Sequence, residues 1–266
     1  MIKIYELVNN AKQAGYNEAN AEAKVCQDII LSLISRCNFT KNITVKGGVV
    51  MRFISNNIRR ATQDLDLDFI RYPLEDDSIR DFIKKLNSVG DIYIKIIDPI
   101  QELKQQDYHG KRINIEITDK YQTTLKTKID LGVHKQIDIV QEEFCFDLET
   151  DNEGACLLIN SKEQMITEKL RSILKFGSFS TRYKDVFDIC YLIDFVDKNK
   201  IIKCFKYYIY DDNGMKENNI NDIIKRISKI FKDKTYLLKL QKSEKNWLDL
   251  DIHQVMEKII DFLISL

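Results

Sequence analysis

From Asp64 to Phe69 the chain reads Asp-Leu-Asp-Leu-Asp-Phe, a strict alternation of carboxylate and apolar residue. A period of two belongs to a β-strand, so Leu65, Leu67 and Phe69 face a core while Asp64, Asp66 and Asp68 share the opposite face. Same-face residues stand roughly 7 Å apart along a strand. At an effective dielectric of about 20, each such pair of carboxylates repels by about 2 kcal/mol. Water and salt over a solvated face screen that repulsion. A divalent cation reverses its sign, and Mg²⁺ is typically held by one or two carboxylates together with substrate phosphates. An EF-hand loop also opens on alternating aspartates, and Glu75 stands where its last ligand would be. Phe69, however, occupies the position that needs glycine, and the leucines belong to a strand.

Just upstream, Ile43 to Val45 reads as a short strand end, followed by Lys46-Gly47-Gly48 and then by a helical start over Val49 to Ile54. A strand that runs through glycines into a helix exposes free backbone N–H groups, which cradle anions such as phosphate. A phosphate cradle followed by a carboxylate strand is the minimum equipment for handling a nucleoside triphosphate.

In this order, Lys46-Gly47-Gly48, Arg52 and Arg60-x-Thr62-x-Asp64-Leu65-Asp66 resemble the first motif of polymerase-β-like nucleotidyltransferases. Specifically, they are similar to the AbiEii group of toxin nucleotidyltransferases from bacterial toxin–antitoxin and phage-defence systems. The resemblance spans residues 43 to 195. It implies that Asp64 and Asp66 ligate Mg²⁺ or Mn²⁺, and that Gly47, Gly48, Arg52 and Thr62 bind the nucleotide. Arg52 alternatively pairs with Asp64 or Asp66. A third carboxylate from a neighbouring strand would complete the metal site and take the proton of the attacking hydroxyl. Asp130 has the matching order, and Asp138 has the same local appearance. Thr167-Glu168-Lys169-Leu170 and Thr181-Arg182-Tyr183-Lys184-Asp185-Val186-Phe187-Asp188 resemble the later motif. There Lys169 would neutralise triphosphate charge, Arg182 would contact phosphate, and Asp185 would orient Lys169 or bind sugar or base. Read without the resemblance, Lys169 is a helix-surface lysine and Asp185 a helix cap. Two departures stand out: Asp68 is an extra carboxylate, either behind the metal ligands or facing solvent, and Val50 stands where a small alanine is expected.

The activity implied is transfer of a nucleoside monophosphate from an NTP to an acceptor hydroxyl, with RNA such as the tRNA acceptor end as acceptor and a cognate antitoxin protein as partner. A nucleotide-binding regulator of the same fold, or a transferase acting on a small aminoglycoside-like molecule, are the alternatives.

Composition narrows the setting. The 266 residues carry 41 Lys and Arg against 41 Asp and Glu, so any nucleic-acid affinity must come from a local surface. No apolar run approaches the roughly 20 residues of a membrane span. The first residues, Met1 to Glu6, lack a signal-peptide core. The six cysteines include no C-x-x-C, which points to reduced thiols in a cytoplasmic protein. His109, His134 and His253 are too scattered for a zinc site.

The pattern along the chain is helical up to residue 38, and a further helix is expected over Asp76 to Leu86. Strands are expected over Ile92 to Ile97, Arg112 to Thr118 and Leu125 to Leu131. The acidic, turn-like Asp147 to Gly154 is the expected boundary. Helical patterns follow at 161–176, 185–196, 218–231, 235–240 and 252–264. The fold class expected is α+β: a nucleotidyltransferase-like mixed sheet flanked by helices over residues 1–150, then a helical lobe over 151–266, with a cleft between the two. The stretch from Lys198 to Lys245 is lysine-rich and carries Tyr207, Tyr208, Tyr210 and Tyr236. It reads either as a face for RNA phosphates and bases or as a solvated helix exterior with tyrosines half in the core.

Overall fold

The computed structural model describes residues 2–103 and 110–266, leaving aside the side chains of 151–153. The chain divides into two compact units, Met1–Asn160 and Ser161–Leu266.

The first unit is a mixed sheet with helices. Helices α1 (Ile4–Gln13) and α2 (Glu18–Arg36) come first, followed by strand β1 (Ile43–Lys46), helix α3 (Gly47–Ser55) and strand β2 (Leu65–Phe69). Helix α4 (Asp76–Asn87) precedes β3 (Tyr93–Ile96), β4 (Gln101–Leu103), β5 (Gly110–Thr118), β6 (Thr124–Val133), β7 (Glu142–Leu148) and β8 (Asp151–Ile159). The strand order is β3-β5-β6-β2-β1-β8-β7, with β4 added on β5. The centre mixes directions: β1 is antiparallel to β2 but parallel to β8, and β2 is parallel to β6. Leu65, Leu67, Phe69, Ile129 and Leu131 are buried, as the alternation requires. Helix α2 is buried over most of its length, and Asn17 caps it through its side chain.

The division falls at Asn160, not at residue 150. The acidic stretch taken for a boundary is mostly strand: β7 and β8 form a hairpin whose turn is confined to Glu149 and Thr150. Its polar residues alternate along two strands at the margin of the sheet, where one side meets water. Cys145 and Cys156 are register partners in this hairpin and form a disulfide, so these two are not the reduced thiols expected. Cys26, Cys37, Cys190 and Cys204 are free and buried.

The second unit contains α5 (Lys162–Phe176), α6 (Tyr183–Leu192), α7 (Lys198–Phe205), α8 (Ile220–Phe231), α9 (Lys234–Lys242) and α10 (Ile252–Ile264). Side-chain caps from Ser161, Asp197, Asn219, Asp233 and Asp251 start five of them. Helix α7 continues into one π turn over Lys206–Tyr210, an element with no counterpart in the sequence pattern. Among the described residues no helix is long and apolar enough to cross a membrane.

Candidate active site

Strand pairing assembles the site. In β1, Lys46 lies opposite Asp66 of β2; Asp66 lies beside Asp130 of β6; and Asp130 lies opposite Arg112 of β5. Residues in direct register share a face. One row across four strands therefore reads Lys46, Asp66, Asp130, Arg112: two carboxylates bracketed by two cations. Neighbouring strands are about 4.8 Å apart, so the two carboxylates are close enough to repel strongly. A step along the same face, Asp68 is buried and its Oδ1 lies 2.6 Å from Lys46 Nζ. Asp68 thus pairs with Lys46, the lysine at the end of the row, and does not face solvent.

Asp66 also touches the glycine turn. Gly47 has φ +70°, in the left-handed region, and a Cβ there would collide with the Asp66 carboxylate. A Cβ on Gly48 would lie 2.6 Å from Thr62 Oγ1. The twin glycines are therefore required by close approach of the two motif halves to each other. No side chain caps α3, so its first N–H groups are available to an anion. Gln27 Nε2 donates to the Thr62 carbonyl oxygen at 2.9 Å, tying this loop to α2.

Burial pushes the Asp66 carboxyl up from 3.8 to about 6; Lys46 opposes the shift, while Asp130, Asp64 and Asp68 add to it. The other two predicted ligands are engaged with cations. Arg112 forks Asp130, with Nε 2.6 Å from Oδ1 and NH2 2.7 Å from Oδ2. Asp64, just before β2, has its Oδ1 2.8 Å from Lys128 Nζ. Among the described residues no three metal-ligating side chains converge on one point. What stands is the pair Asp66 and Asp130 beside a capless helix start. That donor set fits a hard divalent ion completed by substrate phosphate oxygens.

The rival third carboxylate is elsewhere. Asp138, offered as the rival to Asp130, lies in an exposed turn after β6 and on no strand. Arg52 is not at the carboxylate row either. It is buried, and its NH2 lies 2.7 Å from Asp28 Oδ1 of α2, so it pairs with neither Asp64 nor Asp66. Its guanidinium stacks 4.3 Å from the Phe53 ring centroid.

In the helical unit, Lys169 Nζ lies 2.9 Å from Asp185 Oδ1 and 2.7 Å from Asp188 Oδ2. It is no surface lysine: its side chain is 11% exposed. Trp247 Nε1 donates to Asp188 Oδ1 at 3.0 Å, closing a buried polar cluster. Arg182 is largely exposed, 4.0 Å from Asp185 Oδ2. The tyrosines proposed as base stackers are drawn inward: Tyr236 is fully buried, and Tyr207, Tyr208 and Tyr210 are half-buried.

Sequence reasoning missed Arg112, Lys128, Gln27 and Asp28, and it included Asp188 in the later motif without giving it a role. Arg112 alone left a signal, since it shares the polar face of β5 with Asn114 and Glu116.

A strand-to-helix glycine turn laid against paired strand carboxylates is the apparatus of an enzyme that transfers phosphate-linked groups. The family model described as nucleotidyl transferase AbiEii toxin, type IV toxin–antitoxin system, matches residues 29–262. The chain belongs to this AbiEii family and is a nucleotidyltransferase with a toxin role. None of the curated proteins compared with it matches. Among solved structures it is similar to an antigenic nucleotidyltransferase-like protein from Paracoccidioides brasiliensis, at 12% identity and a TM-score of 0.49, over 83% of this chain and 92% of that one.

Proposed function

We propose that the protein transfers a nucleoside monophosphate from an NTP to a hydroxyl of RNA, the tRNA acceptor end being the acceptor implied by the family resemblance, in an Mg²⁺-dependent reaction. The observation that carries the reading is the Lys46-Asp66-Asp130-Arg112 row abutting Gly47.

In this reading the α3 N-terminus at Gly47 and Gly48 receives the triphosphate, and Thr62 holds the second glycine in place. Asp66 and Asp130, with Asp64 beside them, would hold the divalent ion; Mn²⁺ would serve as well. When bound, the ion supplies charge neutralisation at the phosphates and acidifies the acceptor hydroxyl. Asp130 takes the hydroxyl proton once it is released from Arg112. The acceptor oxygen forms its bond to the α-phosphorus as the bond to the pyrophosphate oxygen breaks, and pyrophosphate leaves with that electron pair. Positioning and charge neutralisation do most of the work. Lys169, Arg182 and Asp185 are proposed to act on the nucleotide by resemblance alone. Arg52 is proposed to support the site from behind through Asp28. A cognate antitoxin is the regulatory partner that the family suggests.

The test is incubation with each α-labelled NTP, Mg²⁺ and total tRNA, in parallel with protein-only and aminoglycoside arms. Label is expected on RNA with the intact protein and absent with Asp66→Ala. Label on the aminoglycoside or on protein instead would overturn the acceptor. No label anywhere would overturn the transfer itself.

A further inference from the structure

A second charged feature lies wholly inside the helical unit. A cavity of about 650 Å³ is bounded by the turn after α5 and by the last turns of α8. Its walls carry Lys225, Arg226, Lys229 and Lys232 against a single carboxylate, Asp233. That carboxylate is already engaged, because Asp233 Oδ1 accepts the Tyr236 backbone N–H at 2.9 Å as the cap of α9. Among the described residues the four cations have no side-chain hydrogen bond or ion pair. In a chain whose acids and bases are otherwise widely paired, this is a local excess of positive charge.

Helix C-termini attract cations through the dipole, which accounts for Lys229 and Lys232. It does not account for Arg226, which packs across Gly177, or for the two aromatic rings at the rim. Arg226 Nε is buried with no hydrogen-bond partner. A buried donor left unmade costs on folding, and the Arg226 guanidinium is held at the pocket wall without a protein partner for its Nε. Phe179 is 88% exposed and Phe176 is 49% exposed, both beside the cations. Cations beside bare rings suit a ligand that alternates negative charge with flat apolar surfaces. Single-stranded RNA has that chemistry. An acidic peptide offers the charge but no partner for the faces of the rings.

We infer that this pocket is a docking site for a single-stranded segment of RNA, with phosphates on Lys225, Arg226 and Lys229 and a base stacked on Phe179. The inference rests on the RNA acceptor proposed above and adds the surface that captures it. Lys225 and Lys229 are one turn apart on α8, about 6 Å along the axis, so one strand can contact both.

The test is fluorescence anisotropy of a labelled single-stranded RNA 12-mer and of labelled tRNA, titrated with the full chain across a salt series. The intact protein should bind with a log–log salt slope that reports its phosphate contacts. Lys225→Gln with Lys229→Gln should weaken binding and reduce that slope by about 1.4, at about 0.7 per lost contact. Phe179→Ala should cost about tenfold with the slope unchanged. Lys239→Gln, on α9 outside the pocket, should bind like the intact protein. Failure of the intact protein to bind, or unchanged binding by the pocket variants, would overturn the site. Displacement of the RNA by poly-glutamate at matched charge would also overturn it and point to an acidic protein partner. If the binding pattern holds while no label is transferred, the transfer reading fails and the docking site stands. If label reaches RNA while the pocket variants bind normally, only the docking site fails.

Discussion

Asp66 is the residue on which the charge of the row and the proposed chemistry meet. Burial raises its carboxyl to about 6 from 3.8. Between these values the folded state binds the extra proton, so stability falls as pH rises through that window. Asp66→Asn removes the ionisation. Its stability relative to wild type should therefore rise between about pH 4 and pH 7, by on the order of 2 kcal/mol. Urea denaturation across pH, without divalent ions, measures this, and a pH-independent difference would refute it. The same variant should be inactive, a trade of stability for function expected of a site that concentrates like charges. Arg112 and Lys128 form ion pairs with Asp130 and Asp64, and in the proposed reaction a divalent ion would compete with them. Arg112→Gln should tighten Mn²⁺ binding roughly fivefold by removing a competing positive charge, while Asp130→Asn should weaken it. Electron paramagnetic resonance titration of free Mn²⁺ in the presence of NTP reads both; weaker binding by Arg112→Gln would make the arginine a supporting residue instead. The carboxylates were legible because period two is local information. Their cationic partners were not, because the fork of Arg112 on Asp130 exists only once β5 and β6 pair in this register. Arg52 was misplaced for the same reason: its partner, Asp28, lies on a helix 24 positions earlier in the chain.

At the scale of elements, the β1–α3 turn carries the heaviest constraint. Gly47→Ala must adopt a positive φ and displace the Asp66 carboxylate. It should cost at least 1–3 kcal/mol, roughly the range for local backbone strain alone, and should also abolish transfer. Chemical denaturation gives the first readout, and a loss below about 0.5 kcal/mol, the scale of ordinary surface changes, would mean the turn is looser than described. The β7–β8 hairpin gives a second check. Denatured without reductant, the protein should expose four reactive thiols, Cys26, Cys37, Cys190 and Cys204, and all six only after reduction. Six before reduction would show the Cys145–Cys156 pair open. Amphipathic helices and the strands around residues 92–131 were readable from periodicity. The hairpin was hidden because the acidic run around its tight turn resembles a solvated linker. The π turn at Lys206–Tyr210 was hidden because helical continuity from α7 carries no mark of changed hydrogen bonding.

For the whole molecule, zero net charge conceals an uneven distribution: a charge-paired row of carboxylates and cations in the sheet unit and an unpaired basic pocket in the helical unit. Composition reports only the sum, so a local excess of charge leaves no mark on it. The resemblance was legible because its motif residues cluster within a short stretch, and the family match extends across both units. The most direct measurement is a crystal structure of the full chain with a non-hydrolysable NTP and Mn²⁺. It should place the triphosphate on the N–H groups of Gly47 and Gly48, the ion on Asp66 and Asp130, and the Arg112 guanidinium withdrawn from Asp130. A nucleotide bound away from the glycine turn, with the Arg112–Asp130 fork intact, would contradict the account.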